Sequence, residues 1–175
     1  MSESVVYCVD TSALIDLRMY YRRKTFVTLW QKLGNLVRSK RLIAPREVWK
    51  ELKRDDEIPA WIRSDAGLRR MFVPLKVGAI RIAADIVAQF PDLVDPDKEI
   101  PDADPFLVAL AVYRNREQQE LFAPRRHIVL TSEKPSRGGR SKIPDVCQQY
   151  DVECLWGSIG STALALFFER EGWEF

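Results

Sequence analysis

The first apolar run of the chain, together with the polar residues that end it, reads Val5-Val6-Tyr7-Cys8-Val9-Asp10-Thr11-Ser12. The run from Val5 to Val9 is apolar without alternation, which is typical of a strand buried on both faces. Asp10 falls where this strand leaves the sheet, and in open α/β sheets ligands bind at the carboxyl ends of the strands. Asp10, Thr11 and Ser12 are also good N-caps. The run alone therefore leaves open whether Asp10 caps a helix or belongs to a functional site.

Further short apolar runs alternate with segments of helical periodicity. Strands are predicted at Leu42–Ala44, His127–Thr131 and Val152–Leu155. Helices are predicted in the segments between and after them, among them one from Thr25 to Lys40 and a final one from Ser158 to Glu171. This alternation predicts an α/β fold, a three-layer α/β/α sandwich with a central and mostly parallel sheet. The length suits a single domain over residues 1–175, with a helical addition at about residues 60–90.

Composition limits the class of protein. The chain is 46% hydrophobic and 30% charged, which is typical of a globular protein. No run of 18 apolar residues and no secretory signal is found, so we expect no membrane association and a cytoplasmic location. The cysteines, Cys8, Cys147 and Cys154, are odd in number and lack metal-finger spacing, which predicts free buried thiols in a reducing compartment. The single histidine, His127, is interpreted as a surface or edge residue without a catalytic role.

Four acids occupy positions that the predicted fold could bring together. Asp10 and Glu133 follow strands, Glu51 lies beside the buried stripe of a helix that Pro45 opens and that runs to about Arg54, and Asp104 precedes Pro105 at a helix start. Four converging carboxylates repel one another and need a cation to stay ionised. Mg²⁺ or Mn²⁺ prefers such oxygen ligands and supports phosphodiester hydrolysis. We therefore predict a hard divalent metal site if the four elements are neighbours.

Each acid also has a structural interpretation. Asp104 before Pro105 is a favourable N-cap. Glu51 could pair with Lys50 or Arg54, and Glu133 could be an ordinary loop acid. Asp102 could take the place of Asp104 as a ligand or belong only to the acidic loop. The residues alone do not choose between these readings.

The ordered set of motifs resembles the four-part acidic pattern of PIN domains. The similarity covers nearly the whole chain and is nearest to an uncharacterised PIN-like branch with VapC-type toxin relatives. It extends to the later segment Lys142-Ile143-Pro144-Asp145-Val146-Cys147. The motifs that carry it are Val9-Asp10-Thr11-Ser12, Val48-Trp49-Lys50-Glu51-Leu52, Asp104-Pro105-Phe106-Leu107-Val108-Ala109-Leu110-Ala111 and Val129-Leu130-Thr131-Ser132-Glu133.

The resemblance implies a Mg²⁺- or Mn²⁺-dependent ribonuclease that cleaves single-stranded RNA. Many such proteins are toxins that a cognate antitoxin holds inactive, and many form homodimers. By motif, the catalytic and metal-binding acids would be Asp10, Glu51, Asp104 and Glu133. The residues that would support these acids or position a water are Thr11, Ser12, Thr131 and Asp102. Two departures from the pattern are Glu133, where aspartate is usual, and the longer body at residues 60–89.

The net charge of only +2 hides separate basic clusters around an acidic centre. We expect RNA to be bound by Arg22, Arg23, Arg137 and Arg140, although solvated helix faces are the alternative for each cluster. A second hypothesis is a non-catalytic PIN-like module that binds nucleic acid or protein. A third, a phosphohydrolase with Asp10 as covalent nucleophile, is disfavoured because such enzymes typically have a second aspartate two residues later, where this chain has Ser12.

Overall fold

A computed structural model of the protein describes residues 4–53, 57–118 and 124–174. Arg54, the predicted helix end and a predicted partner of Glu51, lies outside these ranges. The described residues form five strands: β1 (Ser4–Val9), β2 (Leu42–Pro45), β3 (Phe72–Val73), β4 (Arg125–Leu130) and β5 (Cys154–Leu155). They also form eight α-helices: α1 (Thr11–Tyr20), α2 (Val27–Arg38), α3 (Arg46–Leu52), α4 (Glu57–Arg63), α5 (Val77–Gln89), α6 (Asp104–Gln118), α7 (Ile143–Gln149) and α8 (Ala163–Arg170).

The five strands form one sheet in the order β3-β2-β1-β4-β5. Each strand pairs with its neighbours in parallel, with Cys8 opposite both Ile43 and Val129. β1 is the central strand. The chain first adds β2 and β3 on one side of β1 and then adds β4 and β5 on the other side. The predicted α/β fold with a central parallel sheet is therefore confirmed.

Successive residues of β1 point to opposite faces of the sheet, and both faces are covered. Tyr7 and Val9 belong to one hydrophobic core with residues of α1, α2, α4 and α8. Val6 and Cys8 belong to a second core with residues of α5, α6 and α7. This double burial explains why the run shows no alternation of polar and apolar residues. Together the two helical layers and the sheet form the three-layer sandwich.

Several details differ from the predictions. The segment predicted as a helical addition also contains the edge strand β3, whose residues pair with Ala44 and Pro45. Because β3 has only two residues, its sequence cannot show the alternation of polar and apolar residues that predicts a strand. The helix predicted to begin at Thr25 begins at Val27, and Pro45 ends β2 instead of opening α3. The helix predicted to begin at Ser158 begins at Ala163, after a turn that includes Gly160 at φ +88°.

The prediction for the exposure of one side chain was wrong. His127 is only 4% exposed, not a surface residue, because β4 places it beneath α6. Its backbone N–H donates to Asn115 Oδ1 at 2.8 Å, and burial lowers its pKa to about 4. The three cysteines are free as predicted; Cys8 and Cys147 are buried, and Cys154 is half-buried.

In the described ranges, no helix is both long and apolar enough to cross a bilayer.

Candidate active site

The candidate site lies where the sheet order reverses. β1 and β4 are parallel neighbours, and the chain passes to β2 after β1 but to β5 after β4. In doubly wound sheets, such a switch point opens a crevice outside the carboxyl ends of the strands. Asp10 follows β1 directly and Thr131 follows β4 directly, so both side chains stand at this crevice. The topology therefore brings the first predicted acid to the place where a ligand is expected.

Asp10 is 3% exposed and is held by hydroxyl groups. Its Oδ2 accepts hydrogen bonds from Ser12 Oγ and from Thr131 Oγ1, the latter at 2.9 Å. Although Asp10 occupies the N-cap position of α1, its side chain makes no capping hydrogen bond. The carboxylate therefore faces across β1 and β4 instead of closing the helix.

Glu51 joins α3 to the start of α6. Thr11 Oγ1 donates to Glu51 Oε2, and the backbone N–H of Ala103 donates to Oε1 at 2.8 Å. These contacts take the place of the pairing with Lys50 that the sequence allowed. Glu51 thus fixes the position of the segment that delivers Asp104.

Asp104 is the first residue of α6, and its carboxylate makes no hydrogen bond with the described residues. It therefore does not act as a side-chain cap there. Burial, together with the nearby Asp10, Glu133, Glu51 and Asp102, raises the pKa of Asp104 to about 8. The pKa of Asp10 is raised less, to about 6, because burial is opposed by the hydrogen bonds from Ser12 and Thr131. Asp104 is thus a crowded carboxylate without a compensating partner.

Asp102, which the sequence allowed as an alternative ligand, is held by hydrogen bonds within its own loop. It is 7% exposed, its Oδ2 accepts the backbone N–H of Asp95 at 2.7 Å, and Lys98 Nζ donates to its Oδ1. Arg140 Nη2 lies 3.9 Å from the same carboxylate. These contacts favour Asp104 over Asp102 as the acid that is available to a ligand.

Glu133 holds the beginning of α7. Its Oε2 accepts the backbone N–H of Ile143 at 3.1 Å, and its Oε1 lies 3.6 Å from Lys142 Nζ. The backbone N–H of Glu133 donates to Thr131 Oγ1 at 3.1 Å, which links this acid to the hydroxyl that binds Asp10.

The four predicted acids line one cavity of about 540 Å³. Thr11 and Ser12 also line it, and Thr131 lies behind them, fully buried. The other polar residues of its lining are Lys98, Glu99, Asp102, Arg140, Ser141 and Lys142. We refer to this cavity as the acid pocket.

Lys98 was not predicted as part of the site, and Lys142 was predicted only as one member of a basic cluster. Lys98 lies among acids in a loop, where its only signal is its spacing of four residues from Asp102. Lys142 is one residue of a basic cluster, and composition does not show which member faces the acids.

The predicted RNA-binding arginines are separated by the structure. Arg140 lines the acid pocket, and Arg137 is exposed and lines neither cavity described here. Arg22 and Arg23 line a second cavity of about 970 Å³, together with Trp30 and Trp61, which shares no lining residue with the acid pocket. The ten residues of α1 lie between Asp10 and this second cavity, a helix length of about 15 Å.

The donor chemistry of the acid pocket fits Mg²⁺ or Mn²⁺, but the side chains are not arranged as a complete ligand set. Across residues 4–53, 57–118 and 124–174, no group of three or more His, Cys, Asp or Glu side chains is placed to hold a metal ion. Glu51 and Glu133 each direct both oxygens at groups of the protein. Mg²⁺ commonly uses one or two carboxylates and keeps several waters. If such an ion bound here, Asp10 and Asp104 would be the carboxylates available to it, and the ion would relieve the repulsion at Asp104.

Comparison with known proteins gives one family. A family model described as "Domain of unknown function (DUF4411)" matches residues 7–159, a span that includes all four predicted acids and α7. The comparison found no curated protein and no solved structure that matches the chain. Since the matched span covers most of the 175 residues, the chain belongs to the DUF4411 family.

Proposed function

We propose that the protein is a Mg²⁺- or Mn²⁺-dependent endoribonuclease that cleaves single-stranded RNA. The observation that carries the proposal is the convergence of Asp10, Glu51, Asp104 and Glu133 on one cavity at the switch point of a parallel sheet. The motif order that resembles PIN domains supports the same chemistry. Metal sites that cleave phosphodiesters are commonly built from carboxylates.

In this proposal, Asp10 and Asp104 would hold the metal, and Glu51 and Glu133 would support the site from the walls of the acid pocket. A bound divalent ion would lower the pKa of a water and neutralise charge on the phosphate. Thr131 and Ser12 keep Asp10 ionised and oriented, since both hydroxyls donate to its Oδ2. Glu51 keeps the start of α6 in place through the N–H of Ala103. The four acids thus divide into two candidate ligands and two supports that also face the acid pocket.

The biological setting belongs to the same proposal. The resemblance implies a toxin that a cognate antitoxin inhibits and that forms a homodimer, and the composition adds a cytoplasmic location. A small DNA-binding protein encoded next to this chain would support the toxin assignment. A purified chain that runs as a monomer in sedimentation would count against the dimer without affecting the nuclease.

The nuclease is tested by assaying Mn²⁺-dependent cleavage of labelled single-stranded RNA by the wild type and by Asp10→Asn. We expect the substitution to reduce the rate by about 100-fold or more, because it removes the charge of a proposed ligand. Asp85→Asn is the matched control, since Asp85 is exposed on α5 and does not line the acid pocket. Equal cleavage by Asp10→Asn and the control would exclude the role proposed for Asp10.

A non-catalytic module that binds nucleic acid is the second candidate. One observation favours it: Lys142 lies 3.6 Å from Glu133, so a cation of the protein already neutralises one of the acids. Such a module would bind single-stranded RNA without cleaving it, with or without Mn²⁺. The same cleavage assay therefore separates the two candidates.

A further inference from the structure

The segment formed by residues 134–142, which we call the strap, contains no helix or strand but is tied to the body at both ends. At its start, the backbone N–H of Ser136 donates to both oxygens of Asp145 at 3.1 Å. At its end, the N–H of Ser141 donates to Asp92 Oδ2 at 2.8 Å and that of Lys142 to Asp145 Oδ2 at 2.8 Å. The strap therefore presents its side chains from a defined backbone.

The cations around the acid pocket differ in how far they are already engaged. Arg140 is committed to the protein: its guanidinium donates to the backbone carbonyls of Asp92 and Leu93. Within the part of the chain that the structure describes, Lys142 makes a single ion pair, to Glu133, at 3.6 Å, and its side chain is 43% exposed. Lys98 pairs with Asp102, and its side chain is 50% exposed. All three side chains are partly exposed, but among the described residues only Lys142 and Lys98 pair with a single carboxylate and with no backbone group.

These two lysines come from different segments, the strap and the loop before α6. A polyanion that enters a pocket lined by carboxylates is repelled unless cations at the rim attract its phosphates. We propose that Lys142, assisted by Lys98, binds backbone phosphates of the single-stranded RNA and holds the chain across the acid pocket. This inference rests on the proposed ribonuclease function for its choice of RNA.

The arrangement also lets Lys142 face an acid and a phosphate together. Its ammonium group partly neutralises Glu133. Because the Lys142 side chain is 43% exposed, the same ammonium group can contact a phosphate while it stays beside Glu133. Lys142 is therefore a substrate-binding residue, distinct from the acids that would hold the metal.

The test measures binding of a labelled single-stranded RNA by fluorescence anisotropy, in EDTA and over a series of salt concentrations. EDTA prevents metal-dependent cleavage, so binding is measured apart from catalysis. We expect Lys142→Ala to weaken binding by about 3- to 10-fold and to reduce the slope of log K against log[salt] by about 0.7, the value for one phosphate contact on a single strand. Lys142→Arg should keep most of the affinity. Lys98→Ala should show the same direction of change.

Lys134→Ala is the matched control, because Lys134 belongs to the strap and is exposed but does not line the acid pocket. If Lys142→Ala and Lys134→Ala bind RNA equally well, or if the salt slope of Lys142→Ala equals that of the wild type, the inference is overturned. Circular dichroism of each variant shows that it is folded. Normal Mn²⁺-dependent cleavage with an unaltered salt slope would refute only the role of Lys142. Lys142-dependent binding without any cleavage would refute only the nuclease.

Discussion

At the scale of single residues, Asp10 and Asp104 share a pocket but differ in their support. Asp10 has two hydroxyl donors, which favour its ionised form, and its pKa rises only to about 6. Asp104 has no donor among the described residues, and its pKa rises to about 8. Without a divalent cation, ionised Asp104 is therefore the less favourable of the two charges.

This difference predicts a stability that depends on pH. Because the pKa of Asp104 is higher in the folded protein than the value of about 3.9 in an unfolded chain, the protonated acid favours folding, and this stability is lost as the pH rises toward about 8. In EDTA near about pH 8, Asp104→Asn should be more stable than the wild type by on the order of 1–3 kcal/mol. The difference should shrink toward about pH 5, where the wild-type acid is also neutral.

Urea denaturation at several pH values measures this difference. Asp85→Asn, on the exposed face of α5, provides the control for removal of one negative charge. Addition of Mn²⁺ near neutral pH should stabilise the wild type and have little effect on Asp104→Asn. A difference in the free energy of unfolding that stays constant with pH would mean that Asp104 is not the strained acid described here.

The acids and the hydroxyl groups of Thr11, Ser12 and Thr131 that bind them were accessible from the sequence, whereas the backbone and lysine contacts of the acids were not. Asp10 and Glu133 follow strands, Asp104 begins α6 and Glu51 lies in the last turn of α3, and the fold brings these positions to one pocket. Asp102 differs from Asp104 because it accepts hydrogen bonds from the backbone N–H of Asp95 and from Lys98. The composition of the segment predicts neither contact. Lys98 was not predicted, and Lys142 was not singled out within its basic cluster, because contacts between distant segments place long flexible side chains.

At the scale of elements, Asp145 explains the segment Lys142-Ile143-Pro144-Asp145-Val146-Cys147. Asp145 lies in the first turn of α7 and accepts the N–H of Lys142, which precedes the helix. A carboxylate at this position satisfies a backbone donor that a helix start leaves free. The same carboxylate accepts the N–H of Ser136. One side chain thus fixes both the start of α7 and the strap.

We predict that Asp145→Ala loosens the strap and leaves the sheet intact. Hydrogen exchange should accelerate at the amides of Ser136 and Lys142, while the amides of β1 and β4 keep their protection, because the strap loses its shared acceptor. The stability loss should be about 1–2 kcal/mol, typical of a lost helix cap. Unchanged exchange at both amides would show that other contacts hold the strap.

Elements were predictable in proportion to their length and periodicity. β1, α5 and α6 have apolar patterns that define them. β3 has two residues and gains its identity only from pairing with β2, so the pattern around it indicated helices. The start of α8 was misplaced because the turn at Ser158–Ser161 carries small residues that tolerate a helix as well as a turn.

At the scale of the whole molecule, the site is an outcome of topology. The acids come from the segment after β1, from α3 after β2, from the first residue of α6 and from the segment after β4, and no two of them are close in sequence. The two hydrophobic cores on either side of the sheet fix these segments relative to one another. One pocket formed by four separate segments, with an unsupported carboxylate in it, is the arrangement from which we infer metal-dependent chemistry.

The most direct test of this inference is anomalous diffraction from crystals of the protein soaked in Mn²⁺. We predict a manganese peak in the acid pocket, in direct contact with Asp10 and Asp104, and no peak there in crystals of Asp104→Asn treated in the same way. A wild-type crystal soaked in Mn²⁺ that shows no manganese in the acid pocket would contradict the account.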